Sequence, residues 1–249
     1  MTRITITFIS LAVLAFVGCA PPRTAANEVV TAQCPAGMAF VPGGTFMLEG
    51  RRPSAGTTVS VKGFCFDLTE VTVGAYRACA TTGACPTEGL SCHSSSTTWK
   101  AQDAALPLNC IDYNDSALYC KLAGKRLATE DEWEWAASGG VLGRTYPWGE
   151  EQDWSKVCAS RPAGRVLPCR VGSIAAGDSP LGIHDLAGSV WEWTTTVRAE
   201  EAHVPGNMAI RGGGWDIVTG YRSFAASSRV TYDVNYRSKA VGFRCAKSL

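Results

Sequence analysis

The chain has 249 residues, and its 23 Lys and Arg against 22 Asp and Glu give a formal net charge of +1. This balance excludes the strong positive field that attracts nucleic acids or an anionic membrane surface, so we expect no nucleic-acid partner. The sequence also holds 26 Gly, 8 Trp and 11 Cys. We interpret this composition as a loop-rich fold with large aromatic anchors.

The N-terminus has the pattern of a signal for export. Arg3 precedes an apolar run over residues 4–18, which is shorter than the ~20 residues needed to cross a bilayer as a helix. The segment 16–20, Phe-Val-Gly-Cys-Ala, resembles a lipobox, in which the cysteine is acylated after cleavage. These features predict a lipoprotein signal peptide over residues 1–18.

Lipidation is expected at Cys19, which then becomes the mature N-terminus. A double proline and small polar residues follow, so residues 19–33 are interpreted as a flexible tether to one domain at 34–249. More than one acyl chain gives stable anchoring, so we expect the protein at the bacterial cell envelope, facing the periplasm or the exterior. The alternative is an ordinary signal peptide, cleaved within residues 20–26.

Ten cysteines remain when Cys19 is set aside, and an even number in an exported chain favours disulfides. No two of them stand at CxxC spacing, and the chain has only three His. Metal binding by these cysteines is therefore disfavoured. Ten cysteines allow about 945 pairings, so spacing alone does not assign them.

The first part of the domain predicts strands followed by a helix. Strands are expected within residues 34–48, on either side of a turn at the Gly43–Gly44 pair, and again over residues 59–66. A helix capped by Thr72 follows, because apolar residues recur after it at helical spacing, and Gly83 ends it.

The middle of the domain predicts a long loop and two helices. Residues 81–102 are rich in Ser, Thr, Gly and Cys, which is typical of a loop stapled by disulfides. A helix over residues 115–123 is expected with Asn114 as its cap. The next helix begins at Thr129, where Thr-Glu-Asp-Glu forms a capping box with Glu132. The remaining chain predicts short strands and loops within the same domain.

Seven segments together match one known family in order and spacing. They are Phe40–Met47, Asp67–Tyr76, Ala117–Ala136, Tyr146–Gly149, Gly182–Thr194, Arg211–Trp215 and Gly242–Ala246. Over residues 34–247 the chain thus resembles the sulfatase-modifying factor, or formylglycine-generating enzyme-like, family. The resemblance implies a mixed, loop-rich α/β fold related to the C-type-lectin-like fold, with a disulfide between Cys120 and Cys245. Proximity along the chain suggests two further bridges, Cys34–Cys65 and Cys158–Cys169.

The family's best-known chemistry depends on residues that this chain has replaced. Its enzymes oxidise a substrate cysteine to formylglycine with copper held by two cysteines, because copper(I) prefers thiolates. The resemblance places those ligands at Ile217 and Arg222, neither of which binds copper. Gly214 stands where the family has an active-site Ser, and Ala240 where it has an Asn. We therefore expect neither bound copper nor formylglycine generation.

The segment 185–192, Asp-Leu-Ala-Gly-Ser-Val-Trp-Glu, resembles a family site for structural calcium. Calcium takes six to eight oxygens from carboxylates and backbone carbonyls. The implied ligands are the carboxylates of Asp185 and Glu192 and the carbonyls of Gly188 and Val190. The alternative is that these two carboxylates cap turns and pair with arginines such as Arg211 or Arg244.

Intact scaffold motifs beside replaced copper ligands predict a non-catalytic binding or scaffold module. Its binding face is expected to be the family's active-site cleft, with Trp215, Asp216, Tyr221, Arg222 and Tyr232. The expected partner is a protein, peptide or glycan of the cell envelope. One alternative is an oxidoreductase-like enzyme with altered chemistry in the same cleft. Another is a variable ligand-binding lipoprotein of the C-type-lectin-like fold.

Overall fold

Short strands, three helices and long connecting segments make up the part of the chain that the structure covers. The structure is a computed structural model that describes residues 34–48, 56–160, 164–195, 204 and 206–249. The predicted signal peptide, Cys19 and the tether lie outside the described residues. Two four-stranded sheets and a two-stranded ribbon confirm the expected mixed, loop-rich α/β fold.

The first sheet brings the beginning and the end of the domain together. Its strand order is β1 (Met38–Val41), β4 (Phe64–Asp67), β10 (Cys245–Ser248) and β5 (Arg126–Leu127). All three pairings are antiparallel. Every residue of β4 is buried, because this strand has a neighbour on each side and is covered on both faces.

A separate ribbon pairs β2 (Gly44–Met47) with β3 (Thr58–Val61). The single strand predicted over residues 59–66 is therefore wrong in extent, because two non-strand residues separate β3 from β4. This interruption lies where two backbone segments are in contact: a Cβ added at Gly43 would be 2.7 Å from the backbone nitrogen of Gly63. A side chain at Gly43 would push these segments apart.

The second sheet is built from the C-terminal part of the domain. Its order is β8 (Arg229–Tyr232), β7 (Met208–Arg211), β6 (Trp191–Thr194) and β9 (Val241–Gly242). The β6–β9 pair is parallel and the other two are antiparallel. A Cβ added at Gly242 would lie 2.3 Å from a backbone carbonyl oxygen, so only glycine fits at this close approach.

Two of the three helices begin where the sequence predicts. Helix α1 (Val73–Thr81) is capped by Thr72, whose side chain accepts a hydrogen bond from a backbone N–H of the first turn. Helix α3 (Glu130–Ala137) begins with the predicted capping box of Thr129 and Glu132, in which both reciprocal hydrogen bonds form. These helix starts are local, so the sequence pattern alone was sufficient to find them.

Helix α2 (Tyr113–Leu122) begins before the predicted cap, and the assignment of Asn114 is wrong. The cap is Asp112, whose Oδ1 accepts a hydrogen bond from the N–H of Asp115 at 2.9 Å. Both Asp and Asn are good cap residues, so composition does not choose between them. Asp112 is fixed by Arg237, which donates to it at 2.7 Å from 125 positions away.

Five disulfides pair all ten cysteines of the described residues. They are Cys34–Cys65, Cys79–Cys85, Cys92–Cys110, Cys120–Cys245 and Cys158–Cys169. The structure thus contains the bridge that the family resemblance implied and both bridges suggested by proximity. Two more lie in or beside the loop over residues 81–102, as predicted.

The core is unusual in holding two arginines among its largest fully buried side chains. Trp133, Trp135 and Trp193 fill the interior, and Arg211 and Arg244 are buried to the same extent. Burying two guanidinium groups requires dedicated partners.

Over the part of the chain that the structure describes, no helix is both long enough and apolar enough to cross a membrane.

Removing the bridge between Cys120 and Cys245 is expected to destabilise the domain more than removing the one between Cys79 and Cys85. The first joins residues 125 apart and the second residues 6 apart, and a longer loop constrains the unfolded chain more strongly. We expect the double Cys→Ala variant of the long bridge to lose roughly 2 kcal/mol more of unfolding free energy. Denaturant unfolding checks this, and equal losses would contradict it.

Candidate functional site

Two arginines on neighbouring strands bind two glutamates on one face of α3. Arg211 of β7 lies directly opposite Arg229 of β8. Arg229 donates two hydrogen bonds to Glu130, at 2.6 and 2.9 Å, and Arg211 donates to Glu134 at 2.5 Å. All four side chains are almost fully buried. These charges therefore hold the helix on the sheet.

A second buried ion pair joins Arg244 to Glu192. Its two hydrogen bonds measure 2.8 and 2.7 Å, and each side chain is only 1% exposed. The indole N–H of Trp133 also donates to Glu192, at 2.8 Å. Burial raises the pKa of Glu192, while Arg244 acts in the opposite direction. Of the two uses considered for Glu192, the structure shows the pairing with Arg244.

The segment predicted to bind calcium turns sharply at Asp185, the other of its two predicted carboxylate ligands. Asp185, Gly188 and Ser189 all have positive φ, and Asp185 Oδ2 accepts a hydrogen bond from a backbone N–H at 2.5 Å. Beside it is Glu70, which is buried and has no hydrogen-bond partner on either carboxylate oxygen. Burial, and then the charge of Asp185, raise the pKa of Glu70 well above its usual value.

These observations fit a cation beside Asp185 and Glu70, but not beside Glu192. Among the residues that the structure describes, neither Asp185 nor the neighbouring Glu70 forms an ion pair with a lysine or arginine, whereas Glu192 does so with Arg244. In the described ranges, however, no three His, Cys, Asp or Glu side chains converge as a metal-binding group. Calcium therefore stays a prediction, with Asp185 and the carbonyls of Gly188 and Val190 as the residues that would hold it.

The structure divides the predicted cleft between two places. Asp216 and Tyr232 line one cavity of about 190 Å³, together with Trp191 and Tyr236. Trp215 is buried in the cluster that contains Ala240 and packs against Trp191, both of which also line this cavity. These members of the predicted set lie together.

Tyr221 and Arg222 lie elsewhere. Tyr221 is buried in an aromatic cluster with Tyr146 and Phe224, and its hydroxyl accepts a hydrogen bond from a backbone N–H at 2.6 Å. Ile217, at the first position that the family resemblance assigns to a copper ligand, packs against the same cluster. Arg222, at the second position, is exposed and does not line the cavity.

The two other replaced active-site positions meet in space. A Cβ added at Gly214 would lie 3.0 Å from the Cβ of Ala240 and 2.9 Å from the indole of Trp191. A serine at position 214 would therefore require its neighbours to move. The substitutions at 214 and 240 thus change one small neighbourhood, which borders the cavity.

Sequence reasoning missed Glu70, Trp191 and Tyr236. Glu70 lies in the second matching segment, where its apolar neighbours could have indicated burial. Tyr236 follows Tyr232 by four residues across a polar turn, and the two rings stack with centroids 3.9 Å apart. Nothing in the sequence marks Trp191 as the tryptophan that borders a cavity.

The residues present do not fit a copper ion held by two cysteine thiolates, as in the family's enzymes. Every cysteine in the described ranges is in a disulfide, and a disulfide sulfur is not a thiolate. The positions that carry the family's ligands hold an isoleucine packed against aromatic rings and an exposed arginine. Neither side chain is a copper ligand.

Comparison with known proteins supplies a family and relatives. The sequence model described as sulfatase-modifying factor enzyme 1-like domain matches residues 24–249. The chain is 32% identical over 168 residues to mouse "Inactive C-alpha-formylglycine-generating enzyme 2", covering 57% of this chain and 49% of the relative. It is 40% identical over 106 residues to the formylglycine-generating enzyme of Mycobacterium tuberculosis, covering 39% and 35%. The chain thus spans half or less of each of these relatives.

A solved structure shows the same fold. PvdO from Pseudomonas aeruginosa is similar with a TM-score of 0.65 and 24% identity. The match covers 85% of this chain and 94% of that chain. At this identity the likeness shows the fold and does not transfer an activity.

Replacing Glu192 by Gln is expected to destabilise the domain far more than replacing Glu132 by Gln. Both glutamates bind an arginine through two hydrogen bonds, but the partner of Glu132, Arg126, is 36% exposed. Glu192→Gln removes the carboxylate that is hydrogen-bonded to the buried Arg244, at a cost of about 3–5 kcal/mol. Glu132→Gln keeps a capping-box residue and is expected to cost about 1 kcal/mol or less. Denaturant unfolding of both variants checks this, and similar losses would contradict it.

Proposed function

The chain belongs to the sulfatase-modifying factor enzyme 1-like domain family, and from this premise we propose that it is a non-catalytic binding or scaffold module of the cell envelope. The family membership fixes the scaffold. The proposal concerns what the scaffold does when the copper-dependent reaction is absent.

The observation that carries the proposal is the loss of both copper thiolates. Ile217 and Arg222 occupy the ligand positions, and the ten cysteines of the described residues are bound to one another. Copper-dependent oxidation of a cysteine needs soft ligands to hold copper(I). The changes at Gly214 and Ala240 act in the same direction, because they rebuild the neighbourhood of the active site.

The relatives support this proposal without deciding it. The mouse relative is named an inactive formylglycine-generating enzyme, and its mycobacterial counterpart is named for the activity. Because the chain covers only about half of the first relative and a third of the second, neither name transfers directly. The lost ligands favour the inactive kind.

We propose the cell envelope as the location because of the N-terminal signal and the disulfides. The lipobox-like segment assigns the lipid anchor to Cys19. Five disulfides in one domain are typical of proteins that mature in an oxidising compartment. A tethered domain would present its surface to proteins, peptides or glycans of the envelope.

The mature chain is expected to bind no copper(I) and to leave a substrate cysteine unchanged. The physical reason is the absence of a thiolate pair at positions 217 and 222. Competition with a coloured copper(I) chelator measures binding, and mass spectrometry of a cysteine peptide under oxygen measures conversion. An active formylglycine-generating enzyme is the positive control. Stoichiometric copper or a formylglycine product would overturn the proposal.

We also propose that calcium binds at the curled loop through Asp185. Millimolar calcium is then expected to raise the thermal unfolding midpoint of the wild-type chain, and Asp185→Asn is expected to remove that rise. Asp103→Asn is the matched control, because Asp103 is a carboxylate that pairs with Arg170 outside the loop. A midpoint that is the same in calcium and in chelator would contradict the site.

A further inference from the structure

We propose that the cavity beside Asp216 binds an organic cation, the ammonium or guanidinium group of a partner. This inference rests on the proposed function, because it names the ligand class of a binding module. The cavity is small, its lining is aromatic and acidic, and a lysine already lies beside it.

The cavity is small and lies over one face of the second sheet, because all four strands of that sheet contribute to its lining. Its volume is about 190 Å³, and β8, the last strand on that side of the sheet, contributes Val230 and Tyr232 to its wall. Tyr236 and Trp191 contribute aromatic surface. Typical pockets for drug-sized ligands are larger, about 300–1,000 Å³. The space therefore suits a single side chain or one small amine.

The lining suits a positive charge. Aromatic rings attract cations through their electron-rich faces, and three of the lining residues are Trp191, Tyr232 and Tyr236. The Asp216 carboxylate adds a full negative charge at the same wall, and its side chain is 33% exposed. Burial raises the pKa of Tyr232, and Tyr236 and Asp216 add to that rise.

Nearby arginines do not cancel this charge, because they bind other carboxylates. Arg229 is bound to Glu130, and Arg237 is bound to Asp112 and Asp115. These pairs are held within the fold. Asp216 has a lysine as its partner instead.

Lys239 shows that this wall accepts an ammonium group. Its Nζ lies 5.1 Å from the ring centroid of Trp215 and 3.8 Å from Asp216 Oδ2. The lysine side chain is 42% exposed, and ion pairs this long and this exposed contribute little stability. A guest cation can therefore replace it at the carboxylate.

The geometry favours a cation over an anion or a sugar. An anion would meet the Asp216 carboxylate at close range. A sugar commonly stacks on an open aromatic face, and the stacked rings of Tyr232 and Tyr236, parallel within 6°, cover one face of each other. A cation gains from the Asp216 carboxylate as well as from any aromatic face that stays open, so it is the class that this lining serves best.

Two substitutions with opposite expected effects test the proposal. Asp216→Asn keeps the shape and removes the charge, and Lys239→Met removes the resident ammonium. The hydrogen bonds from Trp215 and Asn109 are accepted by the backbone carbonyl of Lys239, so its side chain can be changed without losing those bonds. Glu151→Gln is the control, because it changes the net charge equally at an exposed residue outside the cavity.

The probes are three capped tripeptides, Gly-Lys-Gly, Gly-Arg-Gly and Gly-norleucine-Gly, with choline and glucose. Binding to the full mature chain is followed by NMR titration. We expect the Lys or Arg peptide or choline to bind at least about fivefold more tightly than the neutral peptide. Asp216→Asn is expected to weaken that binding about fivefold, and Lys239→Met to strengthen it about threefold. Glu151→Gln is expected to leave it unchanged.

Each other outcome has a defined meaning. A preference for glucose or for the norleucine peptide would overturn the cation proposal. It would also be overturned if neither the wild-type chain nor the Lys239→Met variant bound any of the cationic probes. An unfolded variant cannot imitate the expected gain of affinity in Lys239→Met. Capture of an envelope partner that is equally strong with wild type and Asp216→Asn would sink the inference and leave the proposed function intact. Copper binding or peptide oxidation would instead sink the proposed function.

Discussion

The buried ion pair between Arg244 and Glu192 is the constraint on which the scaffold depends. A guanidinium group at 1% exposure is tolerated only while its charge is matched and its N–H groups are bonded. Arg244 donates to Glu192 of β6 and to two backbone carbonyls, one at the end of β4 and one at His184. Glu192 also accepts a hydrogen bond from Trp133 of α3. Arg211, which lies opposite Glu192 in the β6–β7 pairing, forms a second buried ion pair with Glu134 of α3. Together these pairs hold the helix against the second sheet.

This charge network is separate from the positions that hold copper in the family's enzymes. The scaffold pairs use residues of α3, β6 and β7, whereas Gly214 and Ala240 face each other beside the cavity. Ile217 has become part of an aromatic cluster. Under the proposed function the domain keeps the fold without the reaction, because the two depend on different side chains.

Sequence reasoning found what is local and missed what depends on distant contacts. The capping box of Thr129 and Glu132 lies within one turn, so its pattern was sufficient. The cap of α2 was misplaced because Arg237, far along the chain, fixes Asp112. Tyr221 and Tyr232 were both expected on the family's cleft, but Tyr221 packs in another cluster. Motif matching gave the family because seven short segments match it in both order and spacing.

The bridge between Cys120 and Cys245 also constrains the order in which the chain can mature. Under the proposed export, which starts from the N-terminus, Cys120 reaches the oxidising compartment before Cys245, its partner 125 positions later. During that interval Cys120 is a thiol without its native partner, and Cys110 is ten positions away. Sequential export thus favours early non-native pairing that must later be exchanged. Production of the native protein will therefore depend on thiol–disulfide isomerisation as well as on oxidation.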